Sequence, residues 1–195
     1  MSLIIKDWCF FNLISISQNI SDKYFSNIGC CTYIMVKIAL SIKAVLENVV
    51  EVKGLDDDFR YYLKLKCTSC GEVTDSWQYV CLAESVETKG GRGSASMVLK
   101  CKMCKRENHI DILKDTIKSY TIDDSESFKV VVAFECRGVE PIDYDFRSGW
   151  CVYSDMNKIF EDVDLNEKEW YDYNDENNEP VSITEVEHQF KKLKK

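Results

Sequence analysis

The sequence predicts a mainly β, compact sandwich-like domain, and three observations carry that expectation. Apolar residues recur at every second position in several segments, aromatic residues make up 12% of the chain, and no long amphipathic helical pattern is present. Strict alternation puts one set of side chains on one face of a pleated strand, and several such strands bury those faces best by packing sheet against sheet. With 45% hydrophobic residues in 195, the chain has enough apolar surface for one core of ordinary size.

Residues Met1 to Ile34 mix Asn, Ser and apolar residues without a sustained period, and they end shortly after Cys30 and Cys31. They read as an N-terminal extension, 1–34, outside the core, leaving 35–195 as a β domain with an acidic C-terminal portion. The apolar run from Trp8 to Ile16 is broken by Asn12 and Ser15 and is followed by no small-residue cleavage pattern. It makes a poor secretory signal and is far too short for a membrane span, so a cytoplasmic, reducing location is expected, with no membrane partner.

Regular patterning starts after Met35. Ile38, Leu40, Ile42, Ala44 and Leu46 alternate with more polar neighbours and predict a half-buried strand, and Gly54 to Asp58 then turns the chain. Phe59, Tyr61, Leu63 and Leu65 repeat the alternation and lead straight into Cys67. Trp77, Tyr79, Cys81 and Ala83 fall on one face of another expected strand. Lys89 to Ser96 is a Gly and Ser loop, lacking the glycine spacing of a phosphate-binding loop. Met97 to Lys100 enters Cys101, and Ile110 to Leu113 leaves Cys104. Phe128 to Cys136 is apolar on both faces, as expected of a central strand. From Asp155 to Glu187 the chain turns acidic around Trp170, Tyr171 and Tyr173, and Val181 to Phe190 is the last strand candidate.

The chemistry lies in two C-x-x-C units, Cys67-Thr-Ser-Cys70-Gly71 and Cys101-Lys-Met-Cys104-Lys105. Zinc takes four ligands tetrahedrally, and each C-x-x-C turn presents two thiolates from one tight loop, so two turns complete a closed shell. One zinc ion per chain, held by Cys67, Cys70, Cys101 and Cys104, is therefore expected. Because a catalytic zinc needs an open position, the site should be structural. About thirty residues separate the pairs, room for an intervening strand and the Gly-rich loop. Lys64, Lys66, Lys100, Lys102, Lys105 and Arg106 flank the cysteines and should favour the thiolate form.

Those basic residues also raise the possibility of a nucleic-acid surface, which the formal charge of −8 and the pI near 4.9 argue against. Cys81 and Cys136 lie in register with core residues. Cys136, beside Arg137, is nevertheless the best candidate for a nucleophilic thiol, and with it the chain would be a thiol oxidoreductase. His109 is expected at the surface or behind the ligands, and His188 in a structural role.

The segments Met35-Val-Lys-Ile-Ala-Leu40, Asp58-Phe-Arg-Tyr-Tyr-Leu-Lys-Leu-Lys-Cys67, Lys89-Gly-Gly-Arg-Gly-Ser-Ala-Ser-Met97, Phe134-Glu-Cys-Arg-Gly138 and His188-Gln-Phe190 together resemble the eukaryotic CXXC-motif-containing zinc-binding protein family. This group is distinct from the CpG-binding CXXC domains. The resemblance spans Met35 to about Phe190. It implies a compact all-β protein with one zinc on Cys67, Cys70, Cys101 and Cys104, a usual start at Met35, and no established catalytic activity. The expected function is that of a zinc-binding protein acting through an unidentified protein partner. Rival readings are the oxidoreductase and a small folding chaperone of the β-tent type.

Overall fold

The computed structural model describes residues 35–87, 93–155, 158–175 and 178–194. The extension 1–34 and residues 89–92, the first half of the Gly-rich loop, lie outside the described residues. Fifteen strands are present among those described. In chain order they are β1 (Met35–Glu47), β2 (Val49–Gly54), β3 (Arg60–Cys67), β4 (Gln78–Cys81), β5 (Val86–Glu87), β6 (Ser94–Ala95), β7 (Met97–Lys100) and β8 (Glu107–Ile112), followed by β9 (Tyr120–Thr121), β10 (Lys129–Arg137), β11 (Val139–Asp145), β12 (Trp150–Ser154), β13 (Ile159–Val163), β14 (Trp170–Asn174) and β15 (Glu179–Lys192). No helix among the described residues is long and apolar enough to cross a membrane.

The largest sheet has the order β14-β15-β1-β10-β8-β7, and its described pairings are antiparallel. Two smaller sheets, β11-β3-β4 and β13-β12-β2-β9, complete the sandwich, and β5 and β6 form a separate ribbon. One core joins all three large sheets. Leu40, Val132 and Phe134 come from the first, Tyr61, Leu63 and Leu65 from the second, and Val52, Trp150 and Val152 from the third. Tyr61 meets Phe134 edge-on at 5.7 Å, and Phe59 sits between Tyr61 at 4.9 Å and Trp150 at 4.8 Å. Such contacts add to the burial of large rings and fix how the sheets face one another.

β10 lies inside its sheet between β1 and β8, the central position expected from its two apolar faces. β1 is more deeply buried than its alternation suggested. Ala39 and Ser41 are buried along with Leu40 and Ile42, because β1 is flanked on both sides and small side chains fill its second face. β4 is shorter than expected. It spans only Gln78–Cys81, so Trp77 and Ala83 lie beyond its ends, while Tyr79 and Cys81 share the face opposite Val80, Tyr79 exposed and Cys81 buried. Part of the expected Gly and Ser loop is ordered into β6, which pairs with β5. β15 runs two residues further than Val181 to Phe190 at each end.

Three glycines control the chain path where a side chain would interfere. Gly138, at φ 78°, sits between β10 and β11 and lets the chain leave the six-stranded sheet and enter the three-stranded one in a single residue. Gly54 packs flush against Phe59, where an added Cβ would lie 2.6 Å from the ring. Gly149 approaches the same ring from the start of β12. Phe59 cannot retreat without losing Tyr61 and Trp150. Gly54→Ala is therefore expected to destabilise the fold by about 1–3 kcal/mol, the usual range for overpacking, read as a lower urea midpoint with an unchanged slope.

Candidate metal centre

Cys67 ends β3, in the three-stranded sheet, and Cys101 follows β7, at the edge of the six-stranded sheet. The two C-x-x-C turns thus belong to different sheets, and the strands between them, β4 to β7, account for their long separation. The turns share one backbone pattern. In the first, Gly71 N–H donates to the Cys67 carbonyl at 2.9 Å and Cys67 N–H to Glu72 O at 2.8 Å. In the second, Lys105 N–H donates to the Cys101 carbonyl at 3.1 Å and Cys101 N–H to Arg106 O at 2.8 Å. The fifth residue of each turn is left-handed, Gly71 at φ 81° and Lys105 at φ 62°.

This curvature aims backbone N–H groups at sulfur. The N–H groups of Cys70 and Ser69 point to Cys67, those of Cys104 and Met103 to Cys101, and that of Glu72 to Cys70. Burial works to raise the Cys67 thiol, but the backbone donors and the neighbouring thiols outweigh it and bring it down to about 6. Cys101 is lowered mainly by the Cys104 N–H. At Cys70 the Glu72 N–H favours the thiolate, yet desolvation and the thiol's own hydrogen bonds to its neighbours push it up to about 11.

Three of the flanking lysines turn to other partners. Lys64 donates to the carbonyls of Thr74 and Asp75, Lys102 pairs with Asp75 at 2.6 Å, and Lys105 donates to the Lys102 carbonyl. They brace the loops around the cysteines, while peptide N–H groups support the thiolates.

The four sulfurs all lie within 4.8 Å of one another. Cys67 Sγ is 3.8 Å from Cys104 Sγ, and Cys70 Sγ is 3.5 Å from Cys101 Sγ. Sulfurs each about 2.3 Å from a tetrahedral zinc stand about 3.8 Å apart, so the cluster fits that ion with small adjustments. Cys67 and Cys101 are buried, whereas Cys70 and Cys104 are exposed. A residue not singled out from the sequence completes the surroundings. Asn108, fully buried on β8, directs Nδ2 at Cys67 Sγ from 3.8 Å. Its sequence signal was a polar residue in register with Ile110 and Ile112.

His109 is not part of the cluster. Its Nε2 lies 3.9 Å from Glu107, and the residue pairs with Arg137 of β10. His188 stands 3.2 Å from Asp143 among the rings of Tyr144, Phe146 and Phe190, with its pKa lowered chiefly by burial. Cys81 is buried and its thiol meets the Asp57 carbonyl at 3.3 Å. Cys136 is 1% exposed, and its thiol is pushed up to about 12, first by burial and then by Glu135 and Glu140. Arg137 turns instead to Glu135 at 2.7 Å. A thiol so buried and so weakly acidic is a poor nucleophile at neutral pH.

Two knuckles from separate sheets, converging with zinc-compatible spacing, define the class: a mainly β zinc-binding domain with a four-cysteine centre. The chain belongs to the eukaryotic family of CXXC motif containing zinc binding proteins, which it matches over residues 39–191. The rat protein of that name is 53% identical over 159 residues, covering 81% of this chain and 99% of the rat protein. The human one is 52% identical over the same length, again covering 81% and 99%. Among solved structures, the crystal structure of C1orf123 is 52% identical with a TM-score of 0.77, covering 80% of this chain and 99% of the other. A hypothetical protein from Plasmodium falciparum keeps a TM-score of 0.74 at 25% identity, with the same coverage.

The left-handed fifth positions give a paired test. Gly71 has open space around its Cα, so Gly71→Ala adds no clash, only the strain of a Cβ at positive φ, about 1–2 kcal/mol. Lys105→Gly relieves the same strain. Thermal melts are expected to fall for the first and to hold or rise for the second.

Proposed function

We propose that Cys67, Cys70, Cys101 and Cys104 hold one zinc ion per chain, that this zinc is structural, and that the protein acts through contacts with other proteins in the cytoplasm. The observation that carries the zinc reading is the meeting of four sulfurs from two sheets within 4.8 Å. Four thiolates fill a tetrahedral shell, so no position is left for substrate, and the ion serves the fold. Zinc bound by such sites releases about 10–16 kcal/mol in peptides, comparable to the entire net stability of an ordinary domain at about 5–15 kcal/mol.

Support for protein contacts comes from the acidic end of the chain. Twelve carboxylates and only two lysines lie between Asp155 and Glu187. β13 and β14 meet through Phe160 and Trp170 at 5.1 Å, leaving Ile159, Tyr171 and Tyr173 exposed amid that charge. Aromatic and aliphatic groups ringed by charge are common at recognition surfaces, and this one complements a basic partner. The oxidoreductase alternative gains no support from a buried Cys136.

Metal analysis of the purified protein should give one zinc per chain, and a chain beginning at Met35 should bind it equally. Cys67→Ser should lose the metal and melt well below wild type, as wild type does with a strong chelator. Cys136→Ser should lower stability by only about 1–3 kcal/mol, the effect of an unpaired buried hydroxyl. A zinc content far below one in folded protein would sink the reading. For the contact surface, partners cross-linked in cell extract to wild type should be lost with Tyr171→Ser/Tyr173→Ser while the melt is unchanged. Retention of the same partners would exclude this surface.

A further inference from the structure

Asn108 is outside the donor set yet fully buried beside it. It lies on β8, the strand leaving the second knuckle, paired with Leu99, and its Nδ2 reaches Cys67 Sγ of the first knuckle at 3.8 Å. The same amide has an Oδ1 that is buried with no hydrogen-bond partner. A buried oxygen left unsatisfied is destabilising, so packing alone would favour an apolar residue here, as at Ile110 and Ile112 on the same face. The amide cannot gain by turning over. Its oxygen would then face the lone pairs of a sulfur that readily becomes a thiolate.

We propose that Asn108 is a positioning residue that sets how firmly the site holds its metal, by giving Cys67 a third N–H donor beside those of Ser69 and Cys70. The proposal rests on the reading that the four cysteines ligate zinc. Each N–H donor shares the charge of a metal-bound sulfur and holds that sulfur in place, and so slows its departure from a metal. Asn108 differs from the other two donors because it comes from the opposite knuckle. It therefore also ties the strength of one half of the site to the correct placement of the other.

The test compares the full chain, wild type against Asn108→Leu and Asn108→Asp, each loaded with zinc and, in parallel, with cobalt. Zinc release to a chromophoric chelator is expected to be about tenfold faster in Asn108→Leu, the scale on which outer partners affect metal sites. It should be faster still in Asn108→Asp, whose carboxylate faces the thiolate. The sulfur-to-cobalt charge-transfer band is expected to move to longer wavelength in Asn108→Leu, because the sulfur lone pairs lose a hydrogen bond. Repacking elsewhere does not produce that signature. Meanwhile metal-free Asn108→Leu should unfold at a urea concentration no lower than wild type, since the orphaned oxygen is gone.

Wild-type release rates and an unmoved band in folded Asn108→Leu would overturn the proposal. If the variants do not fold, wild type loaded with cadmium-113 decides: a scalar coupling from cadmium to the Asn108 side-chain amide proton is expected, and its absence overturns the assignment. A wild-type chain that binds none of these metals instead overturns the zinc reading itself.

Discussion

The constraint on which the molecule turns is the convergence of four sulfurs at the seam between two sheets. One pair hangs from β3 and the other from the β7–β8 hairpin, and a tetrahedral ion accepts them only when the sheets are correctly placed. The chain reinforces the same corner by other means. Thr68 N–H donates to the Gly138 carbonyl at 3.0 Å, where β10 becomes β11, and Lys66 bridges to Val73 just after the first knuckle. Strand crossover, knuckle and core edge thus coincide. A metal ion held at this point would cross-link layers that otherwise meet through side-chain packing and ion pairs such as Lys192–Glu140 and His188–Asp143.

The sulfurs owe their character to the peptide backbone more than to nearby charge. An N–H group held at a fixed angle by a left-handed residue keeps its effect whatever the salt concentration, whereas an exposed lysine is screened and mobile. Lys102 illustrates the difference: it is committed to Asp75 and contributes through the loop it steadies. This is how an acidic chain lowers the thiols of Cys67 and Cys101 through its own backbone.

Much of this was legible in the sequence because the signals are local. The spacing Cys67 to Cys70 and Cys101 to Cys104 dictates a tight turn, and the apolar run ending at Cys136 dictates a covered strand. What was not legible depended on partners distant in the chain. β2, β11, β12, β13 and β14 are short or edge strands with mixed polarity, and β11 even contains Pro141, so their pairing follows from neighbours already in place. The buried second face of β1 needed knowledge of its two flanking strands. Asn108 looked like any polar residue in a hairpin until the first knuckle was set against it. Lys64, Lys102 and Lys105 turn to loop carbonyls and a carboxylate, because proximity in sequence says nothing about which groups their long stems will reach.

The division of the centre between two sheets has a bearing on how the chain reaches its folded state. Each knuckle can curl by itself, since its hydrogen bonds are local, but it then offers a half-site of two thiols. The complete site exists only after the end of β3 has met the β7–β8 hairpin, a contact between segments far apart in sequence and so slow to form. A metal ion that needs all four sulfurs would therefore find its complete site only once these segments have met. During synthesis, and after any transient opening, the chain passes through an interval in which four thiols are present with their final partners not yet beside them. A reducing environment protects the protein most in that interval, long before the finished fold has any need of it.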